Sequence, residues 1–259
     1  MNYFKELLRF KDLLLSLSLR EIKLRYQPSA LGIAWAILQP LSLMLVFAFV
    51  FSRLARVSSD GVPYPVFVLC ALIPWTFFAN ALSFGSVSLL NNAPIVSKVY
   101  FPREIVPLAS AAAACLDYIV GMVFLFCLLA IYKVAFHASL WYLIPLLLMQ
   151  LVFTLALVLL MSALIVVWRD LKYALPLVLQ IWMFVTPVVY SWKAVPERFH
   201  WVRLVNPMVV IVDGYRRSIL HQSPILFSDL VLESVIVTLM FVGSYAYFKR
   251  KEMTFADIL

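Results

Sequence analysis

Charge is scarce in this chain. Asp, Glu, Lys and Arg make up 13% of its 259 residues, while 64% are hydrophobic. A soluble domain is nearer a quarter charged and half apolar. With a mean hydropathy of +0.98, a water-soluble fold is excluded and the chain reads as an integral membrane protein. Glycine is scarce too. There are six, and none falls in Gly-x-x-x-x-Gly-Lys-Ser/Thr or Gly-x-Gly-x-x-Gly, so the backbone cradle that holds nucleotide phosphates is missing. His137, His200 and His221 are scattered without ligand spacing. Cys70, Cys115 and Cys127 all fall in apolar runs without a Cys-x-x-Cys. We expect buried free thiols, with neither disulfide nor metal site. No Ser/His/Asp set can be argued from residue order, and no ionisable cluster marks one membrane face, as an embedded transferase would need. A cleavable signal peptide is not expected, because the N-terminal stretch is long and mixed in charge.

What the chain does have is length of apolar sequence. About 20 residues cross the hydrocarbon of a bilayer, and six runs qualify, near 31–52, 65–88, 107–132, 140–168, 175–192 and 229–248. The fifth is short and holds Pro176 and Pro187, so it is expected to kink or break. The fold class is therefore all-α, a single polytopic domain over 1–259. Residues 1–30 precede the first span. Lys5, Arg9, Asp12, Ser16, Arg20 and Lys23 oppose a stripe of Phe4, Leu8, Leu15, Leu19, Ile22 and Tyr26. That pattern predicts an amphipathic helix in the headgroup plane, either a simple anchor or a docking surface.

The net charge of +8 points to membrane headgroups rather than nucleic acid, because the basic residues flank apolar runs. With the N-terminus inside, thirteen of the 21 Lys and Arg residues fall in segments 1–30, 98–103, 169–172 and 249–251. Arg53, Arg56, Lys133 and five residues in the loop 193–228 fall outside. Long loops influence topology less than short ones, so both termini are expected in the cytoplasm. Residues 193–228 are too apolar for a free loop and too short to cross twice. Two short re-entrant helices dipping into the outer leaflet, broken at Asn206-Pro207, would bury them. Residues 249–259 form a cytoplasmic tail.

The stretch Asn91–Pro107 organises the rest. Pro94 suits the first turn of a helix, where its missing N–H costs nothing. Pro102 then stops that helix after about two turns. Lys98, Arg103 and Glu104 supply charge. A short, capped, basic helix between two spans is either an ordinary polar connection or a stiff lever.

Asp117 is the single acid deep in a run, and Gln150 lies at comparable depth in the next. A charge at that depth must be paired or hydrated. Across a short hairpin the two could meet, as a proton or substrate site or as an interhelical hydrogen bond that fixes packing. A secondary transporter would carry more intramembrane charge than this. Glu233 lies near a membrane interface and reads as structural. Trp141 and Trp168 are 27 residues apart, roughly 40 Å of helix. They suit interfacial belts, as do Trp192 and Trp201. Trp35, Phe47, Phe51, Trp75, Trp182, Phe184 and Tyr190 are candidates for flat faces on which sugar rings stack, or else for packing.

Arg20-Glu21-Ile22-Lys23-Leu24-Arg25-Tyr26, Leu31–Pro40, Ile73-Pro74-Trp75-Thr76-Phe77-Phe78, the Asn91–Pro107 stretch, Trp168-Arg169-Asp170-Leu171, and Asn206-Pro207 with Tyr215-Arg216 run in order over nearly the whole chain. Together they resemble the membrane subunit of a type-2 ABC exporter, of the subgroup that exports polysaccharides such as O-antigen, capsule or teichoic acid. The resemblance implies a bacterial inner-membrane homodimer working with two copies of a separate cytoplasmic ATPase. No cofactor would sit on this chain; ATP and magnesium would bind the partner. The cargo would be a lipid-linked glycan. Pro94, Lys98, Tyr100, Pro102, Arg103 and Glu104 would form a coupling helix seated on the ATPase, with Arg169 and Asp170 nearby. The first and fifth spans would line the channel. Asn206, Pro207, Tyr215 and Arg216 would belong to an outer gate. An exporter of drugs or small lipids is the alternative, and it needs fewer aromatics.

Overall fold

The computed structural model describes residues 9–27, 29–54, 59, 61–135, 137–220 and 227–258. Among them the chain is helical throughout, without a strand. Expectations for Phe4, Lys5, Leu8, Arg56 and His221 lie outside the described residues.

Helix α1 covers Lys11–Tyr26. Helix α2 covers Trp35–Phe47, opened by a 3-10 turn at Gly32–Ala34 and continued by a π turn at Ala48–Leu54. Helix α3 is Tyr64–Asn91, α4 is Ala93–Lys98, and α5 is Ile105–Ile131. A 3-10 turn at Ala138–Tyr142 leads into α6, Leu143–Val167. Helix α7 is Leu171–Val185 and α8 the single turn Val202–Val205. Helix α9 is Pro207–Ile219, and α10 is Phe227–Ile258.

Five of these stretches are long and apolar enough to cross a bilayer: Gly32–Ser52, Tyr64–Asn91, Ile105–Ile131, Ala138–Val167 and Phe227–Phe255. The fifth apolar run behaves differently. Its helix has only 15 residues, Leu171–Val185. It starts four residues earlier than the run suggested and stops short of Pro187, because the residue before a proline is driven to extended backbone. Thr186 is extended, with ψ of 134°. Pro176 lies inside α7, one turn past its start, and removes the hydrogen bond that its N–H would have made to the Lys172 carbonyl.

Helix α3 is the hub. Its buried run from Val66 to Leu82 packs against α5, α6 and α9. The approach is close where side chains are small. A Cβ placed on Gly85 would stand 2.6 Å from Val158 Cγ1 and 3.5 Å from the Pro107 carbonyl, so glycine permits the α3–α5–α6 contact. Gln150 does not meet Asp117. It is fully buried and donates from Nε2 to the Pro74 carbonyl at 2.7 Å, tying α6 to α3.

The first helix also departs from expectation. Phe10, Leu13, Leu14 and Leu17 pack on the protein, while Leu15 and Leu19 of the expected stripe are exposed. The helix is apolar on two sides, one for the protein and one for lipid. Arg25 at its far end reaches Asp117, about 12 residues into α5 and so about 18 Å along that helix. It therefore packs against α5 from the elbow end, where Arg20 meets Asn92, to the level of Asp117. Of the cysteines, Cys70 is buried, Cys115 intermediate and Cys127 exposed, and all are free. The exposed position of Cys127 corrects the expectation of three buried thiols.

Gly85→Val is expected to lower stability by about 1–3 kcal/mol through overpacking. It would be read as a reduced Tm in detergent. Gly243→Ala, with nothing within 4 Å of its added Cβ, should leave the Tm unchanged.

Candidate functional site

The polar residues gather at two opposite ends of the bundle. At one end lies the elbow between α3 and α5. Pro94 occupies the first turn of α4, as its ring requires, and the helix ends where Val99 turns extended. Asn92 caps the end of α3, donating to the Ser88 carbonyl at 2.9 Å, and its side-chain oxygen accepts from Arg20 of α1. Val96 and Phe101 turn inward, onto Phe248 and Phe255 of α10. Pro102 is buried beside them.

Two of the elbow's three charges, Arg103 and Glu104, are turned onto α10. Glu104 is buried, and its carboxylate accepts from Lys249 Nζ at 2.7 Å and from Tyr245 Oη at 3.4 Å. Lys249 also pairs with Glu252 at 2.8 Å. Glu252 accepts from the Arg103 backbone N–H at 2.9 Å, and its carbonyl accepts from the Arg103 guanidinium. Burial pushes the Glu104 carboxyl up from its ordinary value, while the Lys249 ammonium pulls it back. The group is thereby a two-sided clamp between the base of α5 and the end of α10. Arg169 reaches the same end and donates to the Ile258 carbonyl at 3.3 Å. Asp170 is exposed at the start of α7.

What the elbow does show to solvent is Lys98, Val99 and Tyr100. Tyr100 is 88% exposed, the most open large hydrophobic side chain among the described residues. An aromatic ring at the tip of a rigid polar turn suits docking, because Tyr is a favoured interface anchor.

At the opposite end, α9 closes the bundle. Asn206 caps it, accepting from the Met208 N–H at 3.2 Å and donating to Thr186 Oγ1 at 3.0 Å, with Pro207 in the first turn. Arg216 is buried. Its guanidinium lies 3.9 Å from the Phe67 ring centre and donates to the carbonyls of Phe67, Pro187, Val188 and Tyr190. Tyr215 is fully buried and shares a 2.8 Å hydrogen bond with Tyr118. Tyr64 donates to the Val189 carbonyl at 2.7 Å, and Arg203 pairs with Asp229 at 2.7 Å. The backbone oxygens of the segment after α7 are thus satisfied by the Arg216 guanidinium and the Tyr64 hydroxyl.

The aromatics divide. Trp75 is buried among Phe78 and Trp182, with ring centres 5.5 and 6.5 Å away, so its assignment to a path is corrected: it is a packing residue. Phe47 is likewise buried, against Phe51. Trp182 is half-buried on the same cluster, edge-on to Phe78 and Phe153. Tyr190 is half-buried and donates to the Phe184 carbonyl at 3.0 Å. Trp35 and Phe184 are exposed on α2 and α7. Trp141, Trp168 and Trp201 are exposed, as belt residues would be. Trp192 is not; it is buried and stacks on His200.

With both ends in place, comparison with known proteins settles the family. The ABC-2 type transporter model matches residues 12–220, from the first turn of α1 to the residue after α9. The chain belongs to the ABC-2 type transporter family. It is similar to the O-antigen export system permease protein RfbA of Klebsiella pneumoniae, 27% identical over 256 residues, covering 96% of this chain and 95% of that protein. It is also similar to the O-antigen export system permease protein RfbA of Myxococcus xanthus, at 29% over 254 residues and 96% of each chain. The polysialic acid transport protein KpsM of Escherichia coli is 24% identical over 247 residues, 92% of this chain and 93% of that one. The ABC-2 membrane protein described here is therefore a permease.

Sequence reading found Glu104 but missed its partners. Lys249 was counted only as inside-positive charge, and its pairing with Glu104 joins positions 145 apart. Lys249→Met leaves Glu104 buried without its cation, and such a loss costs about 3–5 kcal/mol. Thermal denaturation should show a large fall in Tm. Adding Glu104→Gln to Lys249→Met should recover part of it.

Proposed function

We propose that the chain is the membrane subunit of an ATP-driven exporter that moves a lipid-linked polysaccharide, O-antigen or a similar glycan, across the bacterial inner membrane. Two copies pair, and each sits on one copy of a separate cytoplasmic ATPase that holds the ATP and magnesium. Both termini lie in the cytoplasm.

The observation that carries this reading is the elbow. Its exposed tip, Lys98-Val99-Tyr100, stands on a base clamped to two spans and to the last helix. A chain without a phosphate-binding loop needs an outside source of work, and this is where a partner can push. The proximity of Arg169 and the α10 terminus, together with the Lys and Arg of segments 1–30 and 249–251, supports placing this end in the cytoplasm. The names of the relatives support the glycan.

In this reading the polymer enters from the cytoplasmic side. ATP binding closes the partner dimer and presses on the two elbows. Because Glu104, Arg103, Lys249 and Glu252 lock the elbow to α5 and α10, the push moves helices and does not merely deform a loop. The exposed faces of α2 and α7, carrying Trp35 and Phe184, support a path for cargo between the two copies. The outer end, pinned through Arg216, is the part that must yield for cargo to leave.

The test is reconstitution. The chain co-purified with its ATPase and placed in vesicles should move glycan only when ATP is supplied. Transport by this polypeptide alone would overturn the reading. Tyr100→Glu, which puts a charge in the docking face without touching the fold, should insert normally. It should reduce ATPase co-purification tenfold or more, as expected for losing an interface anchor worth about 2 kcal/mol.

A further inference from the structure

The chain has a polar cavity away from both ends. It has a volume of about 240 Å³ and lies between the end of α1, the start of α2, and the middle of α3 and α5. Its lining includes Arg25, Trp35, Gln39, Thr76, Asn80 and Asp117. In an apolar bundle, side chains of this kind are costly unless something uses them.

Their bonding state is uneven. Arg25 and Asp117 pair at 2.9 Å, so the cavity carries no net charge from them. The second carboxylate oxygen of Asp117 is buried and, among the described residues, has no hydrogen-bond partner. Gln39 is exposed and Asn80 half-buried, and no hydrogen bond to another described side chain or backbone group occupies either amide. The indole N–H of Trp35 is committed to Ser29 Oγ at 3.0 Å, which fixes the ring while half of it stays exposed. Beside the closed Arg25–Asp117 pair, the cavity therefore offers two amides that each donate and accept, and a held aromatic face.

We propose that this cavity binds one uncharged sugar ring of the glycan. The inference rests on the exporter reading above and names a site within it. Hydroxyl groups can exchange both donors and acceptors with Gln39 and Asn80. The apolar face of a pyranose can lie on Trp35. A phosphate or pyrophosphate is disfavoured, since the Arg25 charge is already spent on Asp117 and an anion would face that carboxylate. The volume accommodates a single ring and not a folded chain, so the polymer would pass in register, one sugar at a time.

Two measurements on the complete complex with its ATPase test this. First, saturation-transfer-difference NMR would use methyl α-D-mannopyranoside and N-acetyl-D-glucosamine as probes, with inorganic pyrophosphate as the anionic comparison. Transfer to at least one sugar is expected, none to pyrophosphate, and the sugar signal should fall at least fivefold in Gln39→Ala/Asn80→Ala. Pyrophosphate binding in place of sugar, or sugar signal unchanged in the variant, overturns the proposal. Second, a diazirine-bearing hexose should photolabel the wild-type chain within residues 35–40 or 73–84, as read by mass spectrometry. Labelling confined to other segments overturns the proposal whether or not the variant folds. If wild-type vesicles export glycan yet no sugar reaches this cavity, the cavity fails and the exporter reading stands. If ATP drives no glycan export at all, the exporter reading fails.

Discussion

A carboxylate removed from water must be met by a cation, and in this chain that requirement joins the ends of two helices. Glu104 ends the elbow and begins α5; Lys249 sits near the end of α10. Their pairing is what makes a short polar connection a rigid part. The penalty for separating a buried pair is several kcal/mol. A force on the exposed tip is therefore transmitted along α5 and α10 before the clamp opens. Glu252 and Arg103 add a second tie, and the aromatic pair Phe248–Phe255 packs behind it.

The other end solves a different problem with the same kind of chemistry. Once Pro187 has stopped α7, the backbone that follows has carbonyls without helical donors. Arg216 supplies them, with Tyr64. An arginine spread over several carbonyls is well suited to the task, because its planar group offers five N–H donors in fixed directions. Such a cap is stable at rest, yet it consists of individual hydrogen bonds that can be exchanged singly. The elbow is locked by ion pairs, while the far end is fastened by bonds of a more divisible sort. Between them lies α3, the buried hub that packs against α5, α6 and α9.

Much of this was visible before any coordinates. Hydropathy and charge located the long spans, because twenty apolar residues in a row have few other destinations. Pro94 and Pro102 framed the elbow, since proline restricts the backbone wherever it occurs. Pairings across long separations were hidden. Lys249 lies 145 positions from Glu104, and nothing local to either names the other. Arg25 was overlooked as the partner of Asp117 because the two lie 92 positions apart, and the apolar residues of α1 occur on two faces instead of one. Gln150, offered as that partner, bonds to a backbone carbonyl, an acceptor every residue has and no sequence pattern distinguishes. The same reason conceals the Arg216 contacts. Trp75 and Trp35 look alike as letters; one is buried and the other half open, a difference set by helix rotation.

The central claim is that the elbow and the end of α10 move as one body. Spin labels at Ser97 and Met253, both exposed, in a single labelled protomer of the ATPase complex would report on it directly by pulsed electron–electron resonance. The account predicts one distance, unchanged between the nucleotide-free and ATP-bound states. A shift approaching one helical turn, about 5 Å, would show that the elbow slides past α10 and would contradict it.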